Sequence, residues 1–399
     1  MTLQKDAPAR FGRAVRDLWP LDPAMLYLNH GTVGVTPRRV LETQQHLRDE
    51  IEREPARFLL RELSMGQSPA RKEPPRLRVA MRPVAEFIRA RPEDVVFVEN
   101  ATTGANAVLH SFPFERGDEC LVTELNYGAV THAARHAAEL RGATVRSIEM
   151  PYPVGDPATC VETIAAAIGP RTRLLVVDHI TSETALVMPI RAIAERCRAR
   201  GVAMLVDAAH APGQLDLDVP SLGVDWYVAN LHKWACAPRS CAFLWARADR
   251  QAGLHPSVIS WGYGKGFLEE FEMVGTRDNT SYLAAPAGLE FMRDLGLDEM
   301  RRYQHALAME TGRILTRRWG TTVETPESMI AAMITVPAPS SIGSTREDAQ
   351  RLRDALLFED RIEVQVHAIR GRVWLRISAQ VYIEPADIER LGEAVAKRA

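Results

Sequence analysis

The sequence predicts an α/β protein: a mostly parallel sheet with helices on both faces, followed by a smaller α+β unit at the C-terminus. Three observations carry this expectation. Short apolar runs rich in β-branched residues alternate with helical stretches up to about residue 280. After Asn279 the texture changes to one long helical pattern with a few strand runs. The length of 399 residues exceeds what one hydrophobic core usually serves. Residues 1–28 therefore read as an N-terminal arm, 29–282 as a large domain and 283–399 as a small one.

Taken in order, the arm is polar, and Pro8, Pro20 and Pro23 interrupt any helix. Residues 95–98 (Val-Val-Phe-Val) form the first strand run, followed by a turn and a helix over 104–112. A strand at 120–122 leads to an Ala-rich helix over 129–140. The run 174–177 reads as a buried strand and 190–200 as an amphipathic helix. Strands at 203–206 and 226–229 continue the series. In the C-terminal part a helical pattern spans 287–319 with a break at Gly296; strands follow at 329–336 and 373–377, and a last helix starts at Pro385.

The formal charge of -2, spread along the chain, leaves no basic stripe for nucleic acid and no Lys/Arg block for a membrane surface. No apolar run is long enough to span a bilayer, and the first residues lack the apolar segment of a signal peptide. The five cysteines (Cys120, Cys160, Cys197, Cys236, Cys241) are scattered and unpaired in spacing, so they read as reduced core thiols. A cytoplasmic protein is the expectation.

Two blocks carry chemistry. Asp207 ends the strand run Leu205-Val206, and Lys233 follows the run 226–229 in an apolar setting beside His232, Trp234 and Ala235. Ligands of open α/β sheets bind at such strand ends. By themselves these residues leave two readings open: a helix-capping aspartate with a solvated lysine, or a desolvated lysine nucleophile with an acid partner. The second suits pyridoxal 5′-phosphate (PLP), which needs a lysine for its carbonyl and an acid for its ring nitrogen. Between residues 98 and 104 the chain reads Val-Glu-Asn-Ala-Thr-Thr-Gly, a strand-to-helix turn that can bind an anion through N–H groups and hydroxyls. It lacks the glycine pattern of a dinucleotide site and the Lys-Ser/Thr of a P-loop. His132 and His136 stand one helical turn apart, a zinc-like spacing without the glutamate of a zinc protease, and no metal is expected.

Asn100-Ala-Thr-Thr-Gly, Asn126-Tyr127-Gly128, Asp178-His-Ile-Thr-Ser182, Asp207-Ala-Ala-His210, His232-Lys233-Trp234 and Gly275-Thr276-Arg277-Asp278, in this order, resemble the class V aminotransferase family. Within it the chain is most similar to the isopenicillin N epimerase-like branch, from about Leu26 to the C-terminus. The resemblance implies the aspartate aminotransferase-like fold of PLP-dependent transferases, fold type I, with a seven-stranded sheet. It also implies PLP as cofactor, an amino acid as substrate, and a homodimer with its sites at the interface.

Roles follow by position. Lys233 would hold PLP as a Schiff base, Asp207 would pair with the ring nitrogen, and Thr102 and Thr103 would hold the phosphate with His232 alongside. Tyr127 would stack on the ring, His210 would lie against the cofactor, and Thr181 or Ser182 would stand near its phenolic oxygen. The turn at Gly275 and Thr276 would reach the partner's phosphate, Arg376 would clamp the substrate carboxylate, and His30 would touch substrate.

Activity at the α-carbon of an amino acid is the implied function, with an epimerase leading by resemblance. A carbon–sulfur lyase or other β-eliminating enzyme, and an aminotransferase, are the alternatives. The loop 364–372 carries no cysteine, which weighs against a desulfurase that must form a persulfide there. The short passage after Ser260-Trp261-Gly262 departs from the epimerases and leaves the substrate side chain open. A ligand-sensing regulator would need a DNA-binding module and a basic surface, and neither is visible.

Overall fold

The computed structural model describes residues 10–64 and 72–399, so Pro8 lies outside the described residues. Twelve strands are present among them: β1 (Leu26–Tyr27), β2 (Val95–Val98), β3 (Glu119–Thr123), β4 (Thr144–Ile148), β5 (Thr172–Asp178), β6 (Ala203–Asp207), β7 (Trp226–Asn230), β8 (Ala242–Ala246), β9 (Met333–Pro337), β10 (Ile362–Glu363), β11 (Gln365–Ile369) and β12 (Arg372–Ser378). The longer helices are α1 (Arg38–Arg53), α2 (Arg76–Phe87), α3 (Ala101–Ser111), α4 (Gly128–Glu139), α5 (Pro157–Ala167), α6 (Ile190–Arg198), α7 (Ala285–Asp294), α8 (Leu297–Trp319), α9 (Arg346–Phe358) and α10 (Pro385–Ala396).

Seven strands make the main sheet in the order β2-β8-β7-β6-β5-β3-β4. All neighbours pair in parallel except β8, which runs antiparallel between β2 and β7. Every residue of β2, β6, β7 and β8 is buried, the signature of a sheet covered on both sides. Alternate residues divide between two apolar layers. Val177, Val206 and Tyr227 face α5 and α6 with Cys160, Ile164, Ile190 and Ile193. Val176, Leu205 and Val228 face α3 and α4 with Ala105, Val108, Val130 and Ala134.

The C-terminal part carries the antiparallel sheet β11-β12-β9. The predicted break at Gly296 is real: its φ of 80° ends one helix and starts α8. Trp319 closes α8 by donating its indole N–H to the Gly392 carbonyl of α10 at 3.1 Å. The strand expected to begin at 329 begins at Met333, because residues 327–329 turn as a short 3₁₀ segment.

Residues 10–28 of the arm are packed rather than free. Trp19 is buried against Phe291 and Tyr382 with ring centroids 5.2 and 5.0 Å away. β1 pairs in parallel with β10, and the Ser378 N–H donates to the Leu28 carbonyl at 2.8 Å. The segment after β1 is thereby laid across the C-terminal ends of the main sheet. Among the described residues no helix is long and apolar enough to cross a membrane, and all five cysteines are buried and free.

Candidate active site

The C-terminal ends of β5, β6 and β7 and the start of α3 surround a cavity of about 520 Å³. Its walls include Thr32, Thr102, Thr103, Tyr127, Asp178, Ser182, Asp207, His210, His232 and Lys233. The sequence-predicted residues Lys233, Asp207, Tyr127, His210, His232, Thr102, Thr103 and Ser182 therefore meet in one place.

Lys233 follows β7 by three residues, and its Nζ lies 3.3 Å from His210 Nε2. Burial pushes the ammonium down to about 8; the Arg376 charge acts in the same direction, and Asp207 and Asp178 oppose it. Burial also drives His210 well below the ordinary imidazole value, aided by Lys233, so the ring is neutral and able to accept a hydrogen bond from the lysine ammonium. His232 is lowered to about 4, chiefly by burial, and its Nδ1 faces the Cys241 carbonyl at 2.9 Å.

Asp207 Oδ1 accepts the Ala209 N–H at 3.0 Å, so the residue does cap the turn after β6. Its Oδ2 is buried with no hydrogen-bond partner. Directly beside it in the sheet register stands Asp178, the last residue of β5. Asp178 Oδ2 accepts the Tyr127 N–H at 3.0 Å, while Oδ1 is also buried and unpartnered. Burial raises both carboxyls, and for Asp178 the neighbouring Asp207 raises it further.

The anion turn starts earlier than expected, with Asn100 as N-cap and Ala101 as first helical residue. Asn100 Oδ1 accepts the Thr103 N–H at 2.9 Å, and Asn230 Oδ1 at the end of β7 accepts the Ala101 N–H at 2.8 Å. Two first-turn donors are thus capped; the Thr103 hydroxyl also donates to Asn100 Oδ1 at 3.2 Å, and Thr102 and Thr103 both line the cavity. Tyr127 starts the turn into α4 and is 46% exposed.

Arg376, in the middle of β12, is buried beside the cavity. It donates to the Ser182 carbonyl, to Asn29 Oδ1 at 3.2 Å and to Thr32 Oγ1 at 2.7 Å, while its Nε is unpartnered. Burial lowers this guanidinium to about 10, which leaves it fully charged at neutral pH.

Two expectations require correction. His30 does not touch the cavity: it is fully buried, with Nδ1 3.0 Å from the Tyr382 hydroxyl and Nε2 2.9 Å from the Lys233 carbonyl. Its place is to brace the lysine loop, and the cavity is reached instead by Thr32, two residues on. Thr181 is buried with its hydroxyl shared with Thr184 at 2.6 Å and accepting the Leu186 N–H, so Ser182 alone of that pair lines the cavity. Gly275 and Thr276, expected at a partner's phosphate, form an exposed turn outside the walls of this chain's own cavity, a position compatible with that expectation. His136 packs its ring edge-on against His110 at 5.6 Å.

Sequence reasoning gave no role to Asp178, Asn230 or Thr32. A signal existed for Asp178, which ends a buried strand just as Asp207 does. None existed for Asn29 and Thr32, whose approach to Arg376 spans more than 340 positions of sequence.

The groups present fit PLP: an amine of lowered basicity, an unpartnered buried carboxylate oxygen to take a ring N–H, and hydroxyls at a helix start for a phosphate. Fold and site together define a PLP-dependent enzyme of fold type I. The model of the family described as "Aminotransferase class-V" matches residues 36–358, and the chain belongs to this family. It is 33% identical to a protein named "Probable L-cysteine desulfhydrase, chloroplastic" from Arabidopsis thaliana, covering 94% of this chain and 83% of that one. It is also 33% identical to an isopenicillin N epimerase of Streptomyces clavuligerus, covering 94% and 95%. Among solved structures, a C-DES mutant with glycine covalently linked to its PLP cofactor superposes with a TM-score of 0.80 at 22% identity, covering 96% of this chain and 99% of that one.

Proposed function

We propose that this chain removes the α-proton of an amino acid with Lys233 and goes on to break the carbon–sulfur bond at the neighbouring β-carbon. The supporting observation is that Lys233 Nζ and His210 Nε2 stand 3.3 Å apart, on the same side of the cavity. Inversion at the α-carbon needs proton carriers on two faces, whereas elimination needs one base and a leaving group that departs with its electron pair. PLP bound at this site supplies the electron sink for charge at the α-carbon.

The chain's own residues do the rest. Asp207 Oδ2 would hold the ring N–H, Thr102 and Thr103 would hold the phosphate, and Tyr127 would cover the ring. Arg376 would exchange the Thr32 hydroxyl and the Ser182 carbonyl for the substrate carboxylate, which suits its planar fork. His210, neutral beside Lys233, would accept a hydrogen bond from the lysine at Nε2 and hold it at the cavity wall.

A second reading, an epimerase, is supported by the similarity to the Streptomyces clavuligerus protein. One experiment separates the two. The PLP-loaded protein is incubated with L-cysteine, L-cystine and a panel of other L-amino acids in deuterated water. Release of sulfide or persulfide with pyruvate is the expected outcome. Inversion with deuterium at the α-carbon and no sulfur release would establish the epimerase instead.

A further inference from the structure

Two carboxyls at adjacent strand ends face one ammonium, and only one of them has been given a task. Asp178 and Asp207 are register partners, both 2% exposed, and each keeps one oxygen buried without a partner at the same cavity. Neighbouring strands lie about 4.8 Å apart, so two ionised carboxylates here would repel strongly in a dry setting. Lys233 can balance one of them. Burial raises both and Lys233 offsets both, so Asp207 has the better claim to the charge because only Asp178 carries the added repulsion of its neighbour. For Asp178 the charge of Asp207 adds to burial.

The order of the sheet says what Asp178 faces. The anion turn at the start of α3 is tied to β7 through Asn230, on one side of β6. β5 lies on the other side of β6. A PLP ring held with its nitrogen at Asp207 and its phosphate at Thr102 and Thr103 would have its hydroxyl edge on the β5 side, where Asp178 lines the cavity. Thr181 cannot serve that edge, since its hydroxyl is spent on Thr184 and Leu186, which leaves Ser182 and Asp178 at the cavity wall on the β5 side.

We infer that Asp178 is a positioning residue: a neutral carboxylic acid that accepts the Tyr127 N–H at Oδ2 and donates Oδ1–H to the hydroxyl edge of the bound cofactor. This rests on PLP being the cofactor of the site. One side chain then fixes both the residue that covers the ring and the ring's own tilt.

Asparagine can fill both roles, since its carbonyl accepts and its amide donates. Leucine can fill neither. Apo-protein of the wild type, Asp178→Asn and Asp178→Leu would be titrated with PLP by absorbance. Asp178→Asn is expected to bind within about threefold of wild type, and Asp178→Leu about ten- to a hundredfold more weakly, the worth of a hydrogen bond to a charged group. Difference infrared spectra should show a protonated-carboxyl stretch in the wild type that shifts when PLP binds and is missing in Asp178→Asn. A merely structural acceptor for Tyr127 would give no such band, and this arm stands even if Asp178→Leu fails to fold. Equal weakening in both variants would mean that the charge matters and would overturn the inference. Wild-type affinity in Asp178→Leu, or an infrared spectrum without a carboxylic acid at this position, would overturn it as well. Wild-type protein that takes up no PLP would remove the cofactor reading itself, an outcome distinct from a loss confined to the variants.

Discussion

Lys233 carries an amine whose readiness to react is set by where it is buried. An amine attacks a carbonyl only when unprotonated, so lowering its value from 10.5 to about 8 raises the free fraction at pH 7 to about one tenth, from ~1 in 3,000. The rate of PLP uptake by the apo-protein should therefore climb with pH and level off with a midpoint near 8, as followed by stopped-flow absorbance. A midpoint near 10.5 would show that the lysine is not desolvated. Arg376 is the other residue whose charge is held out of water. Arg376→Ala should weaken amino-acid binding by about 2–5 kcal/mol while PLP is still bound, its uptake midpoint moving upward because the Arg376 charge helps to lower Lys233; Arg376→Lys should recover only part of the binding. Titration of an amino acid against both variants reads this directly. Unaltered affinity in Arg376→Ala would move carboxylate binding to another cation.

Elements bring these residues together through close backbone approaches. The helical turn His30–Val33 after β1 ends at Gly34, whose φ is 67° and whose position leaves no room for a side chain. A Cβ there would lie 1.9 Å from the His232 carbonyl and 3.0 Å from the Lys233 Cα. The same turn carries Asn29 and Thr32 against Arg376 and His30 against the Lys233 carbonyl. Gly34→Ala is expected to cost about 1–3 kcal/mol from the backbone conformation alone, and more from displacing the lysine loop. Urea unfolding of the apo-protein should show the loss, and PLP occupancy should fall with it. Unchanged stability would mean that the turn and the loop are not in contact. These contacts were invisible in the sequence, because residues 30–34 and 232–234 are local neighbours of nothing in common. The strands that bear the site, β5, β6 and β7, were legible, since apolar runs in a buried parallel sheet need no partner to declare themselves. β4 was missed because it is an edge strand with mostly exposed or half-exposed side chains. β8 was missed because its antiparallel pairing between β2 and β7 breaks the strand–helix alternation.

At the scale of the molecule, we propose two units, 29–282 and 283–399, joined by α7, which packs back onto α1 and α2. The segment through Val258, Ile259, Trp261 and Tyr263 exposes four large apolar side chains in a stretch of six, and Trp261 is 83% exposed. Isolated exposed hydrophobics are ordinary, but a cluster rimmed by polar residues marks a contact surface. With the exposed Gly275–Thr276 turn, it supports the proposal that two copies meet beside the cavity. Light scattering should give twice the 44.4 kDa of one chain. Trp261→Asp should weaken the dimer by at least about 2 kcal/mol, the usual worth of an aromatic anchor. A monomeric wild type, or a dimer indifferent to Trp261→Asp, would sink this.

The class of fold, the family, and the lysine, aspartate and threonine blocks can be read along the chain, because each is written in a few consecutive residues at a strand end or helix start. Tertiary structure alone decided what lies beside them. It withdrew His30 and Thr181 by spending their polar atoms elsewhere, and it set Asp178 next to Asp207 and the Asn29–Thr32 turn against Arg376. Partners of this kind depend on strand order and on which buried oxygen is left unpaired. Neither is a property of neighbouring residues in the chain: both arise only when the sheet assembles and water is expelled.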